Sequence, residues 1–203
     1  MGSGSRSGKM VMHNDGKPSI DADRCIGCKI CARFCAHDAI SFTGEKASIN
    51  HSKCAGCGHC IGACSKNAIG SSCDSSNDAL SCKIVEYAKA VLDGRPHFHI
   101  NVVNQVSPYC DCHAESDAAV IPDIGIFAGF DPVALDKACI DAVNAAPAIQ
   151  TSILGERDRN HRDAAGNEDH FTNIHPTTDW RVQISHAEKI GLGSGSYELV
   201  TVE

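Results

Sequence analysis

The sequence predicts an α+β module of two matching halves over residues 18–70, preceded by an N-terminal arm of residues 1–17 and followed by an α/β domain over residues 71–203. Two observations carry this fold class. A sixteen-residue pattern, CIGCKICARFCAHDAI from Cys25 to Ile40, recurs 29 residues later as CAGCGHCIGACSKNAI from Cys54 to Ile69. Beyond residue 78, stretches with helical apolar spacing alternate with strand-like apolar runs, the pattern of helices layered on a sheet.

Composition narrows the function classes. Charged residues make up 21% of the 203 positions, and no apolar run reaches the roughly 18 residues of a spanning helix, so no membrane anchor is expected. MGSGSRSGKM has no apolar signal region, which points to the cytoplasm. In that reducing compartment the thirteen cysteines read as metal ligands and buried thiols, because disulfides do not persist there. A net charge of −7 without a Lys/Arg cluster argues against a nucleic-acid partner, which needs a basic surface.

Each frame reads C-x2-C-x2-C-x3-C: Cys25, Cys28, Cys31 and Cys35, then Cys54, Cys57, Cys60 and Cys64. Three thiolates at this pitch can wrap three corners of one iron–sulfur cube, while the fourth lies a helical turn on and points to the cube of the other frame. Cluster one then takes Cys25, Cys28, Cys31 and Cys64, and cluster two takes Cys54, Cys57, Cys60 and Cys35. Gly27, Ala55, Gly56 and Gly58 let backbone amides approach the sulfurs. The competing reading is a zinc-stabilised binding module, although zinc more often uses two separated Cys pairs.

PSIDADRC (Pro18 to Cys25) and ASINHSKC (Ala47 to Cys54) both read as short extended stretches, and Ala39-Ile40 and Ala68-Ile69 as short strands after each frame. Residues 18 to about 70 therefore resemble the bacterial two-cluster ferredoxin. That family normally has Pro after each fourth cysteine, where this chain has Ala36 and Ser65. The resemblance implies an α+β ferredoxin-like two-cluster module joined to an α/β domain, two [4Fe–4S] clusters, a pseudo-two-fold axis, a redox protein partner, and electron transfer of the kind used in anaerobic metabolism. Two loaded cubes deepen the negative charge and favour a positively charged docking partner.

Downstream, Gly70 to Asp78 reads as a linker. ALSCKIVEYAKAVLDG reads as a helix with Leu80, Ile84, Tyr87, Ala88 and Val91 on one face and Gly94 as its stop. Residues 97–103 and 121–130 read as strands, the second mostly apolar. Asp131 then caps a helix that opens at Pro132 and carries Val133, Ala134, Cys139, Ile140 and Val143, with Cys139 in the core. Residues 156–170, ERDRNHRDAAGNEDH, have little to bury and read as a solvated polar loop.

PYCDCHAESDA, IPDIGIFAGFDPVALDKACIDAVN, GKMVMHNDGKP (Gly8 to Pro18) and IHPTTDWRVQISHAEKIGLGSGSYEL (Ile174 to Leu199) resemble a further family, the uncharacterised Fe–S centre proteins, a domain of unknown function. In it a two-cluster module is inserted into an α/β domain behind a long α/β segment. Here the chain begins almost at the insert, so the resemblance implies a homodimer, a subunit of a complex, or a fragment of a longer chain.

Five cysteines stand outside the frames. Cys110 and Cys112, in YCDCH, project to one face of an extended stretch and form a candidate third metal or redox site, with Cys73, Cys82, His13 or His175 as further candidates; plain buried thiols are the alternative. An electron carrier with two clusters is the expected function. The alternative is the iron–sulfur subunit of a redox enzyme that uses the Cys110/Cys112 site. No nucleophile elbow, phosphate loop or dinucleotide fingerprint is present, and no catalytic residue is assigned. His37 and His59, inside the frames, read as neighbours of the clusters or as solvent-facing.

Overall fold

A computed structural model describes residues 3–4, 6–13, 17–70, 76–109, 118–160 and 169–202. It is a mixed α and β structure with small two-stranded antiparallel sheets, in two compact units, Met1–Val91 and Leu92–Glu203.

The first unit opens with α1 (Arg6–His13), which packs against α3 (His59–Ala63) and carries the buried Met12. The repeated sequence then folds twice in the same way. The first repeat runs from β1 (Ser19–Ile20) through α2 (Ile30–Arg33) to β2 (Ile40–Thr43). The second runs from β3 (Lys46–Ile49) through α3 to β4 (Ile69–Gly70). Left-handed backbone recurs at matching positions: Gly27 and Gly56 (φ 66° and 75°), Lys29 and Gly58 (63° and 71°), Asp38 and Asn67 (47° and 49°). Hydrogen bonds recur as well. The Asp21 amide donates to the Ala68 carbonyl as Asn50 does to Ala39, and Cys25 donates to Asp21 as Cys54 does to Asn50.

Strand pairing ties the repeats together. β1 pairs with β4 in the register Ile20↔Ile69, and β2 with β3 in the register Ile40↔Ile49. A shift of 29 residues turns one pairing into the other, so each sheet joins the leading strand of one repeat to the closing strand of the other. β2 and β3 are connected by a two-residue turn with Gly44 in the left-handed region, as short hairpins require. The core between the sheets is small. Cys31, Cys60, Ala47 and Ile69 are buried, and Ile20, Ile40, Phe42 and Ile49 pack around them.

α4 (Asn77–Leu92) closes this unit. Val85 is its buried residue and Val91 is exposed, so the face expected from periodicity is displaced. Gly94, with φ 68°, lies just past the helix end, where the sequence places its stop.

In the second unit β5 (His99–Val103) pairs antiparallel with β6 (Gly125–Gly129), from Val103↔Gly125 to His99↔Gly129. This part is therefore α+β, and the expected layered α/β sheet is not formed among the described residues. The second strand is also shorter than residues 121–130. Val120 and Ile121, just before it, are buried loop residues, and Val120 donates its amide to the Val106 carbonyl and accepts that of Ile149. α5 (Pro132–Ala145) packs on both strands. Asp131 caps it as expected, its Oδ1 accepting the Val133 and Ala134 amides at 2.8 and 3.1 Å. The buried residues of α5 are Val133, Leu135, Ala138 and Val143. Cys139 is only half-buried and accepts a contact from Asn101 Nδ2 at 3.5 Å. Burial pushes its thiol pKa up.

The stretch read as a polar loop is partly helical. α6 (Ile153–Asn160) runs into it, residues 161–168 lie outside the described residues, and α7 (His170–Ile174) follows. Distant partners account for this. Leu154 is fully buried in the core with Val103, Val143 and Ile174, and Arg157 donates to the Asn173 carbonyl at 2.7 Å. Asp169, itself buried, caps α7 and accepts from Trp180 Nε1 and Arg181 Nη2, at 2.7 and 2.8 Å, at the start of α8 (Trp180–Lys189).

Candidate metal centre

The first unit contains two cavities. One, of about 370 Å³ counting its open mouth, is lined by Cys25, Cys28, Cys31 and Cys64. The other, of about 330 Å³, is lined by Cys35, Cys54, Cys57 and Cys60. Each thus gathers three thiols of one frame and the fourth of the other. Apart from the thiols, the walls are largely apolar, with Ile20, Phe42 and Ala68 at the first and Pro18, Phe34 and Ile49 at the second.

Local backbone geometry aims the sulfurs. At Gly27 a Cβ would stand 2.3 Å from the Glu45 carbonyl oxygen, so the loop between the first two cysteines accepts only glycine on two grounds, its positive φ and this contact. The third cysteines, Cys31 and Cys60, sit in the first turns of α2 and α3 and are 7% and 8% exposed. Where the helix ends, the chain turns through Asp38 or Asn67 so that a following amide reaches the fourth sulfur. Ala39 donates to Cys35 Sγ at 3.4 Å and Ala68 to Cys64 Sγ at 3.3 Å. Ala47 donates to Cys25 Sγ and Gly56 to Cys54 Sγ, both at 3.4 Å.

Two lysines outside the cysteine motifs brace the frames. Lys46 Nζ donates to the carbonyls of Ala22 and Cys25 at 2.7 and 2.8 Å, and Lys17, at the matching position 29 residues earlier, donates to the His51 carbonyl. Their equal spacing was the available signal.

Electrostatics differ among the thiols. Amide donation, first from Ala47 and then from Gly27, lowers the Cys25 pKa. Burial raises that of Cys31, with the neighbouring Cys28, Cys64 and Cys25 adding to the effect. Burial pushes Cys60 up to about 11, with Cys54 and Cys57 contributing. A buried thiol among other thiols ionises only when cationic charge compensates it.

These residues fit a metal–sulfide cube. The donors are all sulfur, the sulfurs line largely apolar cavities, and amides point at four of them. Among the described residues no group of three or more His, Cys, Asp or Glu is arranged to hold a single metal ion.

Among the described residues the remaining candidates form no group arranged to hold a metal ion. Cys73, Cys110 and Cys112 lie outside the described residues. Cys82 is half-buried on α4, and His175 Nε2 bonds the Pro108 carbonyl at 2.6 Å. His37 and His59 both line the second cavity, His37 exposed and His59 half-buried.

Fold and site together define a mixed α and β protein whose internal repeat encloses two cysteine-lined cavities. The chain belongs to a domain of unknown function family (DUF362), whose family model matches residues 1–141. The match ends before the segment 174–199. No curated protein and no solved structure matches the chain.

Proposed function

We propose that this chain is an iron–sulfur electron-transfer protein. Its first unit is a ferredoxin-like module with one [4Fe–4S] cluster on Cys25, Cys28, Cys31 and Cys64 and a second on Cys54, Cys57, Cys60 and Cys35, and it relays single electrons to or from a redox protein partner. One observation carries this reading: two separate cavities, each lined by three cysteines of one frame and the fourth of the other.

When bound, such clusters store and release one electron with little change in geometry. The chain supplies everything else. The eight thiols bind, and their amide donors stabilise negative charge on sulfur. Ile20 and Phe42 give the first cavity apolar walls, as Ile40 and Ile49 give the second. Lys46 and Lys17 fix the loops that aim Cys25 and Cys54. Cys28 is exposed beside Ile26, also exposed, so the first cavity opens to the surface where a partner can approach.

Anaerobic purification with iron, sulfide and zinc counted per chain tests the proposal. About eight irons and eight sulfides with a brown colour are expected. A colourless protein holding zinc and no sulfide overturns it.

A further inference from the structure

α2 and its surroundings differ from their counterparts in the other repeat. Lys29, Ile30, Arg33 and Phe34 are exposed, whereas 29 positions on Gly58 is buried and His59, Gly62 and Ala63 are half-buried. α1 packs against α3, while α2 makes its contacts with α3 and β2. The described residues thus cover one helix of the repeat and leave a face of the other open. That face is apolar at its centre. Ile26, Ile30 and Phe34 are 58%, 36% and 53% exposed, and they border both cavities, Ile26 and Ile30 the first and Phe34 the second.

The charge around this patch is positive. Lys29 and Lys66, both exposed, line the first cavity, and neither cavity has an Asp or Glu in its wall. Arg33 is exposed on α2 itself. None of these three cations forms an ion pair among the described residues. Lys29 Nζ stands 6.0 Å from the centre of the Phe42 ring, a contact that leaves its charge uncompensated. Residues 1–70 carry nine Lys and Arg against five Asp and Glu, and residues 71–203 carry nine against twenty. The net charge of −7 that favours a cationic partner therefore comes from the later part of the chain and not from the cysteine repeats.

We propose that the open α2 face docks the redox partner, and that this partner meets it with carboxylates set around an apolar patch. The inference rests on the proposed function and adds to it the place and the charge of docking. Protein interfaces bury apolar residues at their centre and match opposite charges at the rim. Ile26, Ile30 and Phe34 supply the centre, and Lys29, Arg33 and Lys66 the rim. The rim cations also offset the charge of a loaded cube, which lets an acidic surface come close to the exposed Cys28. Two features favour a different protein over a second copy of this chain. α1, the helix that packs on the matching helix α3, carries Arg6, Lys9 and His13 and no carboxylate, so the same helix from a second copy would meet like charge. A copy seated on the patch would also close the first cavity to the partner that the relay requires.

Biolayer interferometry of the full chain, purified anaerobically, against an acidic flavodoxin and the basic cytochrome c tests the surface by binding alone. Saturable flavodoxin binding is expected at about 20 mM salt, at least about ten-fold weaker at about 500 mM, and tighter than that of cytochrome c. Lys29→Glu should weaken it at least about five-fold, and Lys29→Glu with Lys66→Glu at least about ten-fold. Ile26→Ser, which alters no charge, should weaken it at both salt concentrations. Lys189→Glu reverses an exposed charge on α8, in the other unit, and should leave binding unchanged. Absence of saturable flavodoxin binding, tighter binding of cytochrome c, or equal losses in Lys29→Glu and Lys189→Glu overturns the proposal. So does a dimer of the chain alone, seen by light scattering, that Lys29→Glu with Lys66→Glu dissociates, since the occupant is then a second copy. Iron counted on the same samples separates the two readings: a chain without iron overturns the proposed function, while the binding results judge the surface whatever the iron content.

Discussion

The two cavities share a backbone and differ in what surrounds the sulfurs. Ala47 offers an amide to Cys25 at the first cavity. The matching position at the second is Pro18, which has no N–H to offer Cys54. Lys66 lines the first cavity where His37 lines the second, and Ile30 lines the first where His59 lines the second. The glycines, turns and thiols that shape the cavities recur in both repeats, as do the amides of Ala39 and Ala68 on the fourth sulfurs, while the groups at positions 18/47, 37/66 and 30/59 do not. Amide donation and positive charge both favour the more negative, reduced state of a cluster. On the proposed function, the cluster at Cys25 is reduced before the one at Cys54.

The largest expected effect removes the comparison altogether. The core of the first unit is small and two of its four buried members are thiols, so stripping the metal should unfold both repeats together, because each sheet draws a strand from each. Amide NMR signals from residues 18–70 should collapse as a set while those of Val103, Val143 and Leu154 persist. Collapse of one repeat alone would show that the pairing across repeats matters little.

A second change leaves the comparison intact and tests whether it belongs to the first unit alone. Leu154→Ala opens a hole in the apolar core of the second unit, where Leu154 is fully buried. It should cost about 2–5 kcal/mol in chemical denaturation of that unit and leave iron content unchanged.

The smallest effects sharpen the comparison. Pro18→Ala restores an N–H near Cys54 and should raise the potential of the second cluster. Lys66→Gln removes an exposed charge and should lower the potential of the first by about 20 mV, taking a separation of roughly 8 Å in a water-like dielectric. Redox titration followed by EPR should show the gap narrowing in both variants. A gap that widens in both contradicts the assignment of these groups.

Much of this site was legible in the sequence because cysteine spacing and glycine placement are local. The cap at Asp131 and the stop at Gly94 were legible for the same reason. What the sequence hid depends on distant partners. Residues 156–160 look like loop because their support comes from Leu154 in the core and from carbonyls near residue 174. Asp169 looks solvated until Trp180 and Arg181 are seen to fold back on it. The α/β expectation failed because apolar runs do not reveal strand direction. The contrast of Pro18 with Ala47 became visible only once the paired strands set the repeats side by side.

The central claim is that each fourth cysteine serves the cavity of the other frame. EPR of reduced, anaerobically purified Cys64→Ala against wild type tests it most directly. Loss or conversion of the cluster held by Cys25, Cys28 and Cys31, with the signal of the Cys54 cluster largely kept, is the predicted result, and Cys35→Ala should give the reverse. Loss confined to the Cys54 cluster in Cys64→Ala would contradict the account.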